Sequence, residues 1–250
     1  MIKRLCRLLL GISALLGAVH ASAQADYARE QRWADEITPA IVVGDPVRLE
    51  LKSGRKFLAI WTPNPAAKAG IVVVHGQGVH PDWGLVNSLR SRLAEQGYAT
   101  LSVQMPVLAA DSPREHYAQV FPEAAERLAA AVAFVRGKGA NRVGIVSHSL
   151  GSHMVNHFVN RTADTRVDAW VSIGIMEDYT VPAAFKTPVL DIYGERDYPV
   201  VLENAAKRSA AIRKTRGSGQ VQVASADHFF AGREDELARQ VKLFLDNRLR

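Results

Sequence analysis

Apolar runs of strand-like length alternate with helix-like segments from about residue 70 to the C-terminus, and this alternation constrains the fold more than any other feature. The runs are GIVVVHG, YATLSVQMP, RVGIVSHS, DAWVSIGI, TPVLDIYG and GQVQVASA. Each is rich in β-branched residues and has the length of a buried strand. Because strands that alternate with helices are joined by right-handed crossovers, the pattern predicts an α/β fold with a mostly parallel sheet and helices on both faces.

Two shorter strand-like runs precede this pattern. VRLEL and KFLAIW are separated by KSGR, in which Ser53 and Gly54 supply turn residues, so we predict an antiparallel hairpin at one edge of the sheet. Residues 24–44 are polar, and we expect an irregular lead-in there.

We find neither an internal repeat nor a linker, which predicts a single domain over residues 24–250. The predicted helices are Gly84–Glu95, Ala124–Arg136, Leu150–Asn160, Val200–Lys214 and Glu234–Arg248.

The first 23 residues have the pattern of a signal peptide. Lys3, Arg4 and Arg7 precede the apolar run LLLGISALLGAV, and the small residues of Ala21–Ala23 follow it. This pattern predicts cleavage after Ala23 and a periplasmic or secreted protein. The run is shorter than the about 20 residues that a bilayer core requires, so we expect no stable membrane span after cleavage. An uncleaved anchor is the alternative.

Charge and cysteine content exclude several classes of function. Removal of residues 1–23 leaves 28 basic and 25 acidic residues, so the net charge falls from +6 to +3. The basic residues are scattered and aromatic residues do not interleave with them, which argues against a nucleic-acid partner. The sole cysteine, Cys6, lies in the predicted signal peptide, so the mature chain can have neither a disulfide nor a cysteine nucleophile.

The stretch RVGIVSHSLG passes from a strand into a helix with Ser149 at the turn. Small residues flank it, with Ser147 two positions before and Gly151 two positions after. This spacing is typical of a nucleophile elbow, Gly-x-Ser-x-Gly, except that Ser147 replaces the first glycine and restricts the backbone there. Ser147 is a second candidate nucleophile, but it would still lie on the strand. A serine that merely caps a helix is the non-catalytic interpretation.

A serine hydroxyl needs a base to take its proton and an acid to orient that base. Asp197 follows a strand-like run in DIYGERDYPV, and His228 follows the last run in VASADHFF. Every other histidine precedes Asp197, so only His228 fits the order serine, acid, histidine. Glu177 and Asp178, after the preceding strand, are alternative acids, whereas Asp227 would point away from its neighbour.

Two backbone N–H groups are predicted to hold an oxyanion. Leu150 supplies the donor that follows the nucleophile, and Gln77 supplies the other from the loop in VVVHGQGVHPDW. This loop lacks the Lys-Ser/Thr of a phosphate-binding P-loop and the spacing of a dinucleotide fingerprint.

His153 and His157 have zinc-ligand spacing, but the glutamate of His-Glu-x-x-His and a third ligand are missing. We predict no metal and interpret the pair as helix surface or packing.

Together these residues resemble the α/β-hydrolase superfamily from about Val47 to the C-terminus. Within it, HGQGVHPDW is similar to the opening loop of a little-characterised group of exported bacterial hydrolase-like proteins. The resemblance implies an eight-stranded sheet, a triad of Ser149, Asp197 and His228, and no cofactor. Relatives with a cap carry it between strands six and seven, where only about Met176–Thr187 lies here, so we expect no cap domain.

The expected activity is cleavage of a carboxylic ester, or less readily an amide, through an acyl-enzyme on Ser149. The expected partner is therefore a small-molecule ester or acyl substrate. Trp83 and Phe229 are predicted substrate-binding residues, and Phe230 and the segment Met105–Pro122 are further candidates for the walls of the site. Acyl transfer with the same triad is one alternative. Another is a binding or assembly protein without turnover, because Ser147 alters the elbow and the sequence shows no substrate pocket.

Overall fold

The computed structural model describes residues 24–67, 69–161, 167–180 and 185–249. The predicted signal peptide, residues 1–23, lies outside them. The strands in this part of the chain are β1 (Asp45–Glu50), β2 (Lys56–Thr62), β3 (Ala69–Val74), β4 (Ala99–Val103), β5 (Arg142–His148), β6 (Ala169–Ile173), β7 (Val189–Arg196) and β8 (Gly219–Asp227). The α-helices are α1 (Tyr27–Ile37), α2 (Gly84–Glu95), α3 (Phe121–Gly137), α4 (Leu150–Arg161), α5 (Pro199–Glu203), α6 (Ala205–Ile212) and α7 (Glu234–Leu249).

The strands form one sheet in the order β1-β2-β4-β3-β5-β6-β7-β8. The β1–β2 and β2–β4 pairs are antiparallel, and all other neighbours are parallel. The predicted eight-stranded, mostly parallel sheet with an antiparallel hairpin is therefore confirmed. Because β3, β5, β6 and β7 run in the same direction, the loops that follow them meet at one edge of the sheet.

Both faces of the central strands β3, β4 and β6 are buried, as their continuous apolar runs predict. In β3, Val72 and Val74 belong to the apolar core that includes side chains of α3 and α4. Ile71 and Val73, on the opposite face, belong to the core that includes side chains of α2 and α7. The helix patterns therefore place one apolar stripe of each helix against the sheet.

The predicted irregular lead-in at residues 24–44 is wrong, because the chain forms α1 there. The side chain of Asp26 caps this helix by accepting a hydrogen bond from the Arg29 backbone N–H at 2.9 Å. Glu30 faces the core and pairs with the fully buried guanidinium of Arg127 at 2.9 Å. The helix is rich in polar residues, and a charged residue, Glu30, lies on the face that meets the core, so a search for apolar runs does not reveal it.

The predicted helix Val200–Lys214 is divided at Asn204 into α5 and α6. The Asn204 side-chain amide donates to the carbonyl oxygen of Val200 at 3.0 Å. Asparagine favours such local bonds over an uninterrupted helix, which accounts for the break.

The connection from β6 to β7 spans residues 174–188, and its described parts contain neither helix nor strand. The fold accordingly lacks a cap domain among the described residues, as predicted. Within the same residues, no helix is long and apolar enough to cross a membrane.

Candidate active site

Ser149 lies on a strained turn between β5 and α4. Its φ of 52° is in the left-handed region, which residues other than glycine rarely adopt. A Cβ atom at Gly151 would lie 2.3 Å from the carbonyl oxygen of His75, so only glycine fits the first turn of α4 against the β3 loop. The turn therefore has the backbone geometry of a nucleophile elbow.

Ser147 does not compete with Ser149 for the site. Its hydroxyl is buried on β5, accepts a hydrogen bond from the indole N–H of Trp170 at 2.8 Å and lies 3.0 Å from the Ser152 hydroxyl. Among the described non-glycine residues only Ser149, Ser225 and Phe230 have a positive φ. The backbone at position 147 therefore does not require the glycine of the usual motif, and the serine supplies a hydrogen bond that glycine cannot.

The structure brings Ser149, Asp197 and His228 into one hydrogen-bonded row. His228 Nε2 lies 3.0 Å from Ser149 Oγ, and His228 Nδ1 lies 2.6 Å from Asp197 Oδ1. The three residues follow β5, β7 and β8 at the same edge of the sheet. This is the arrangement in which an imidazole accepts a hydroxyl proton while a carboxylate orients the ring.

The surroundings of Asp197 keep it ionised. Burial raises the pKa of a carboxyl group, but the hydrogen bond from His228, the electrostatic attraction of its ring, and the backbone N–H groups of Tyr198 and Gly194 outweigh this effect. The pKa of Asp197 is therefore below its ordinary value. A carboxylate at this position holds the proton of His228 on Nδ1 and leaves Nε2 free to accept one.

The alternative acids are engaged elsewhere. Glu177 lies 2.9 Å from Nδ1 of His153, and Asp178 pairs with Lys207. Asp227 accepts the backbone N–H groups of Phe229 and Ala231 at 3.0 and 3.1 Å and so caps its own turn. Asp197 is thus the acid that contacts His228.

Aromatic side chains surround the His228 ring. The Tyr198 ring lies over it at a centroid distance of 4.3 Å and an angle of 30°, and Phe229 meets it edge-on at 5.2 Å. His148, at 4.9 Å, donates its Nε2 proton to the His228 carbonyl oxygen. His148 is therefore a packing and hydrogen-bonding residue of the elbow.

The loop after β3 lies against Ser149. A Cβ atom at Gly76 would be 3.3 Å from Ser149 Cβ, and the adjacent Gln77 lines the cavity above the serine. Leu150, the other predicted donor, is the first residue of α4, where helix N–H groups lack partners within the helix. His75 secures this loop, because its Nδ1 donates to the Gly76 carbonyl at 2.8 Å and its Nε2 accepts the Met105 N–H at 2.9 Å.

A cavity of about 260 Å³ opens above Ser149. Trp83 and Phe229 line it, as expected from the sequence, and so do Val79, Met176 and Tyr198, which sequence reasoning missed. The full lining comprises Gly76, Gln77, Val79, Trp83, His148, Ser149, Met176, Tyr198, His228 and Phe229. Tyr198 could have been found from its position beside the predicted acid.

Two predicted walls of the site are wrong. Phe230 is fully buried in the core, because its left-handed φ of 55° ends the turn after His228 and directs this side chain inward. Within the described residues, the segment Met105–Pro122 does not line the cavity. Its apolar side chains, including Leu108 and Tyr117, are buried in the core on the α3 side of the sheet.

His153 is buried, whereas His157 is half-buried on the same helix. His153 Nε2 accepts hydrogen bonds from Arg114 at 2.8 Å and from the Met176 N–H at 3.3 Å. The His157 ring packs against Phe121 at 5.6 Å. In the part of the chain that the structure describes, no cluster of three potential metal ligands occurs.

Comparison with solved structures identifies the fold. A dienelactone hydrolase from Anabaena variabilis is 21% identical, with a TM-score of 0.66 over 82% of this chain and 97% of that one. An esterase from Pyrococcus furiosus is 14% identical, with a TM-score of 0.66 over 82% and 93%. An α/β serine hydrolase without lid from Xanthomonas campestris is 15% identical, with a TM-score of 0.61 over 83% and 95%. The chain has the α/β-hydrolase fold.

Sequence comparisons add little to this assignment. A family described as "Protein of unknown function (DUF3530)" matches residues 8–125 of this α/β-hydrolase-fold protein. The match includes the Gln77 loop and ends before Ser149, Asp197 and His228. A search of curated proteins finds no match. The assignment of the fold therefore depends on the arrangement of strands and helices.

Two buried histidines make the folded protein sensitive to acid. Burial lowers the pKa of His75 to about 3 and that of His148 to about 4, from the ordinary 6.5. Between about pH 6.5 and pH 4 the unfolded chain binds protons that the folded chain does not. We expect the free energy of unfolding, measured in urea, to fall as the pH falls through this range, by up to about 1.4 kcal/mol per pH unit for each residue.

The variant His75→Asn tests this assignment, because it removes one of the histidines whose pKa is lowered by burial. Its free energy of unfolding should change less steeply with pH than that of the wild type. His116 is exposed, and His116→Asn is the surface control for the replacement of a histidine by asparagine. Equal slopes for the wild type and His75→Asn would contradict the prediction.

Proposed function

We propose that this protein is an exported serine hydrolase that cleaves a carboxylic ester through an acyl-enzyme on Ser149. The observation that carries the proposal is the continuous row of hydrogen bonds from Ser149 through His228 to Asp197, at 3.0 and 2.6 Å. The row opens into a cavity that can admit the substrate. Its members come from three separate loops, which makes an accidental alignment of these residue types improbable.

The proposed reaction begins when His228 Nε2 takes the proton of Ser149 and Oγ attacks the ester carbonyl carbon. The tetrahedral oxyanion accepts hydrogen bonds from the backbone N–H groups of Gln77 and Leu150. Asp197 stabilises the imidazolium, which then protonates the departing alcohol. Water, deprotonated by the same imidazole, attacks the acyl-enzyme and releases the acid. An alkoxide leaves more readily than an amine anion, which favours an ester over an amide.

The structure favours this proposal over a binding protein without turnover. One argument for that alternative was the serine in place of glycine at position 147. Ser147, however, does not have a positive φ, and its hydroxyl accepts a hydrogen bond from Trp170. The other argument was that the sequence shows no substrate pocket, but the structure has a cavity above Ser149. The proposal includes export because the first 23 residues have the pattern of a signal peptide. N-terminal sequencing of the mature protein should therefore find Gln24 as its first residue.

Labelling with a fluorophosphonate, followed by peptide mass spectrometry, tests the proposed nucleophile. We expect the label on Ser149 and none on the variant Ser149→Ala. The matched control is Ser147→Gly, which restores the usual elbow motif and should still be labelled at Ser149. Absence of label from the intact wild type, or label on Ser147, would refute the assignment.

Gly174 is expected to be essential for the position of the His228 ring. Its φ is +59°, and a Cβ atom there would lie 2.9 Å from His228 Cε1 and 3.0 Å from Nδ1. The variant Gly174→Ala should therefore displace the imidazole and lower kcat about ten- to a hundredfold, because displacements of about 1 Å have effects of this size.

Gly232 provides the control for backbone strain. It has a similar φ of +70°, but a Cβ atom there would have no neighbour within 4 Å. The variant Gly232→Ala should carry comparable strain and keep its kcat within about threefold of the wild type. Equal losses in both variants would show that strain, and not contact with His228, causes the effect.

A further inference from the structure

In the described part of the chain, the cavity above Ser149 lacks the four residue types that are ordinarily charged near pH 7. None of its described lining residues is an aspartate, glutamate, lysine or arginine. Of the two histidines, His148 has a pKa lowered to about 4, chiefly by burial, and is neutral near pH 7. A charged group on a substrate would lose its hydration in this cavity without gaining an ion pair, which is costly.

Arg114 contacts Met176 in the cavity wall, and this cation is already engaged. The guanidinium of Arg114 contacts the sulfur of Met176 and donates to His153 at 2.8 Å. Glu177 lies on the other side of the same histidine ring. Contact with His153 lowers the pKa of Glu177, so a carboxylate stands beside this cluster. Arg114 is therefore poorly placed to bind an anionic substrate.

Aromatic side chains form the outer part of the cavity, and we call Trp83, Tyr198 and Phe229 the aromatic rim. Phe229 meets Trp83 edge-on at 5.8 Å and Tyr198 at 6.5 Å. Tyr198 and Phe229 are 42% and 43% exposed, although large apolar side chains are usually more buried. A ligand that covers these rings would remove apolar surface from water and gain ring contacts.

The size of the cavity limits what it can enclose. Its volume of about 260 Å³ is below the about 300–1,000 Å³ of pockets that bury drug-sized ligands. A short acyl group fits beside Ser149, and a larger group must extend along the aromatic rim toward solvent.

We infer that the site takes a small uncharged ester, with a short acyl group in the cavity and an apolar, preferably aromatic, alcohol portion on the aromatic rim. This inference rests on the proposed function of Ser149, and it adds the class of substrate. An ester with a carboxylate on the alcohol portion should be a poor substrate, because the described lining offers that charge no partner.

Phenyl acetate and its 4-carboxylate derivative form a matched pair of substrates that tests the inference. The rate of each with hydroxide corrects for the difference between the leaving groups. After this correction we expect kcat/KM to be at least about tenfold higher for the neutral ester, which corresponds to about 1.4 kcal/mol of discrimination. A corrected ratio near one, or a preference for the carboxylate, would overturn the inference.

A charge introduced into the lining sharpens the test. Val79 lines the cavity and lies outside the hydrogen-bonded row, so Val79→Lys should reduce the preference for the neutral ester at least about threefold by Coulomb attraction. Val79→Met adds a side chain of similar length without charge and should keep the wild-type preference. The inference fails if both variants change the ratio equally.

The two proposals fail in different ways. If the wild type is labelled at Ser149 but does not discriminate between the esters, the substrate class is wrong and the nucleophile stands. If neither ester is hydrolysed and the fluorophosphonate does not react, the proposed function fails, and the inference fails with it.

Discussion

Replacement of Ser149 by alanine is expected to reduce kcat/KM for a reactive ester about 10⁴- to 10⁶-fold, because the variant lacks the hydroxyl that is hydrogen-bonded to His228 Nε2. The Oγ atom forms the acyl-enzyme bond, so no neighbouring group can replace it. The measurement is hydrolysis of phenyl acetate by the wild type and by the variant. Circular dichroism should show equal folding, since alanine leaves the buried contacts of the elbow in place.

Ser147→Ala is the matched control for this loss. It removes a buried hydroxyl two residues away, together with the hydrogen bond from Trp170. We expect a loss of stability of about 1 kcal/mol and activity within about tenfold of the wild type. A Ser149→Ala variant with near wild-type turnover would exclude the acyl-enzyme mechanism.

The variant Asp197→Asn is expected to lower kcat about 10³- to 10⁴-fold with little change in structure. Asp197 Oδ1 now accepts the Nδ1 proton of His228 at 2.6 Å. An amide in its place can donate to Nδ1 and would then favour the tautomer with the proton on Nε2. That nitrogen could no longer accept the proton of Ser149. The effect should appear in kcat for phenyl acetate, while the thermal unfolding midpoint stays similar.

Asp178→Asn is the control for this prediction, because Asp178 was, with Glu177, one of two alternative acids after the preceding strand. It pairs with Lys207 and is not in the hydrogen-bonded row. The substitution should leave kcat within about threefold of the wild type, as is usual for partly exposed ion pairs. If Asp178→Asn and Asp197→Asn lost activity equally, the acid would have been wrongly assigned.

The order of residues along the chain predicted the three members of the row. Ser149, Asp197 and His228 each follow an apolar run, and the carboxyl ends of parallel strands meet at one edge of the sheet. The local pattern of apolar runs was therefore enough to predict that Ser149 and His228, 79 positions apart, lie close together. The same reasoning predicted the bounds of α2, Gly84–Glu95, because both of its ends carry turn signals.

Features that depend on contacts between distant segments were not predicted. The helix α1 has a polar sequence and is held by the buried pair of Glu30 and Arg127, which are 97 residues apart. The division between Phe229 in the cavity and Phe230 in the core depends on a left-handed turn. Residues that are adjacent and identical in type carry no signal that separates these roles.

The amino-acid sequence alone determined the layered α/β architecture and the loops that carry the candidate nucleophile, base and acid. These follow from the period of apolar residues and from chain order, which are local properties. Only the tertiary structure decided that Ser147 accepts a hydrogen bond from Trp170, that His153 is buried beside Met176, and that aromatic rings line a cavity whose described lining lacks aspartate, glutamate, lysine and arginine. The physical reason is that the environment of a side chain is set by the distant segments that fold against it, and no local pattern records them.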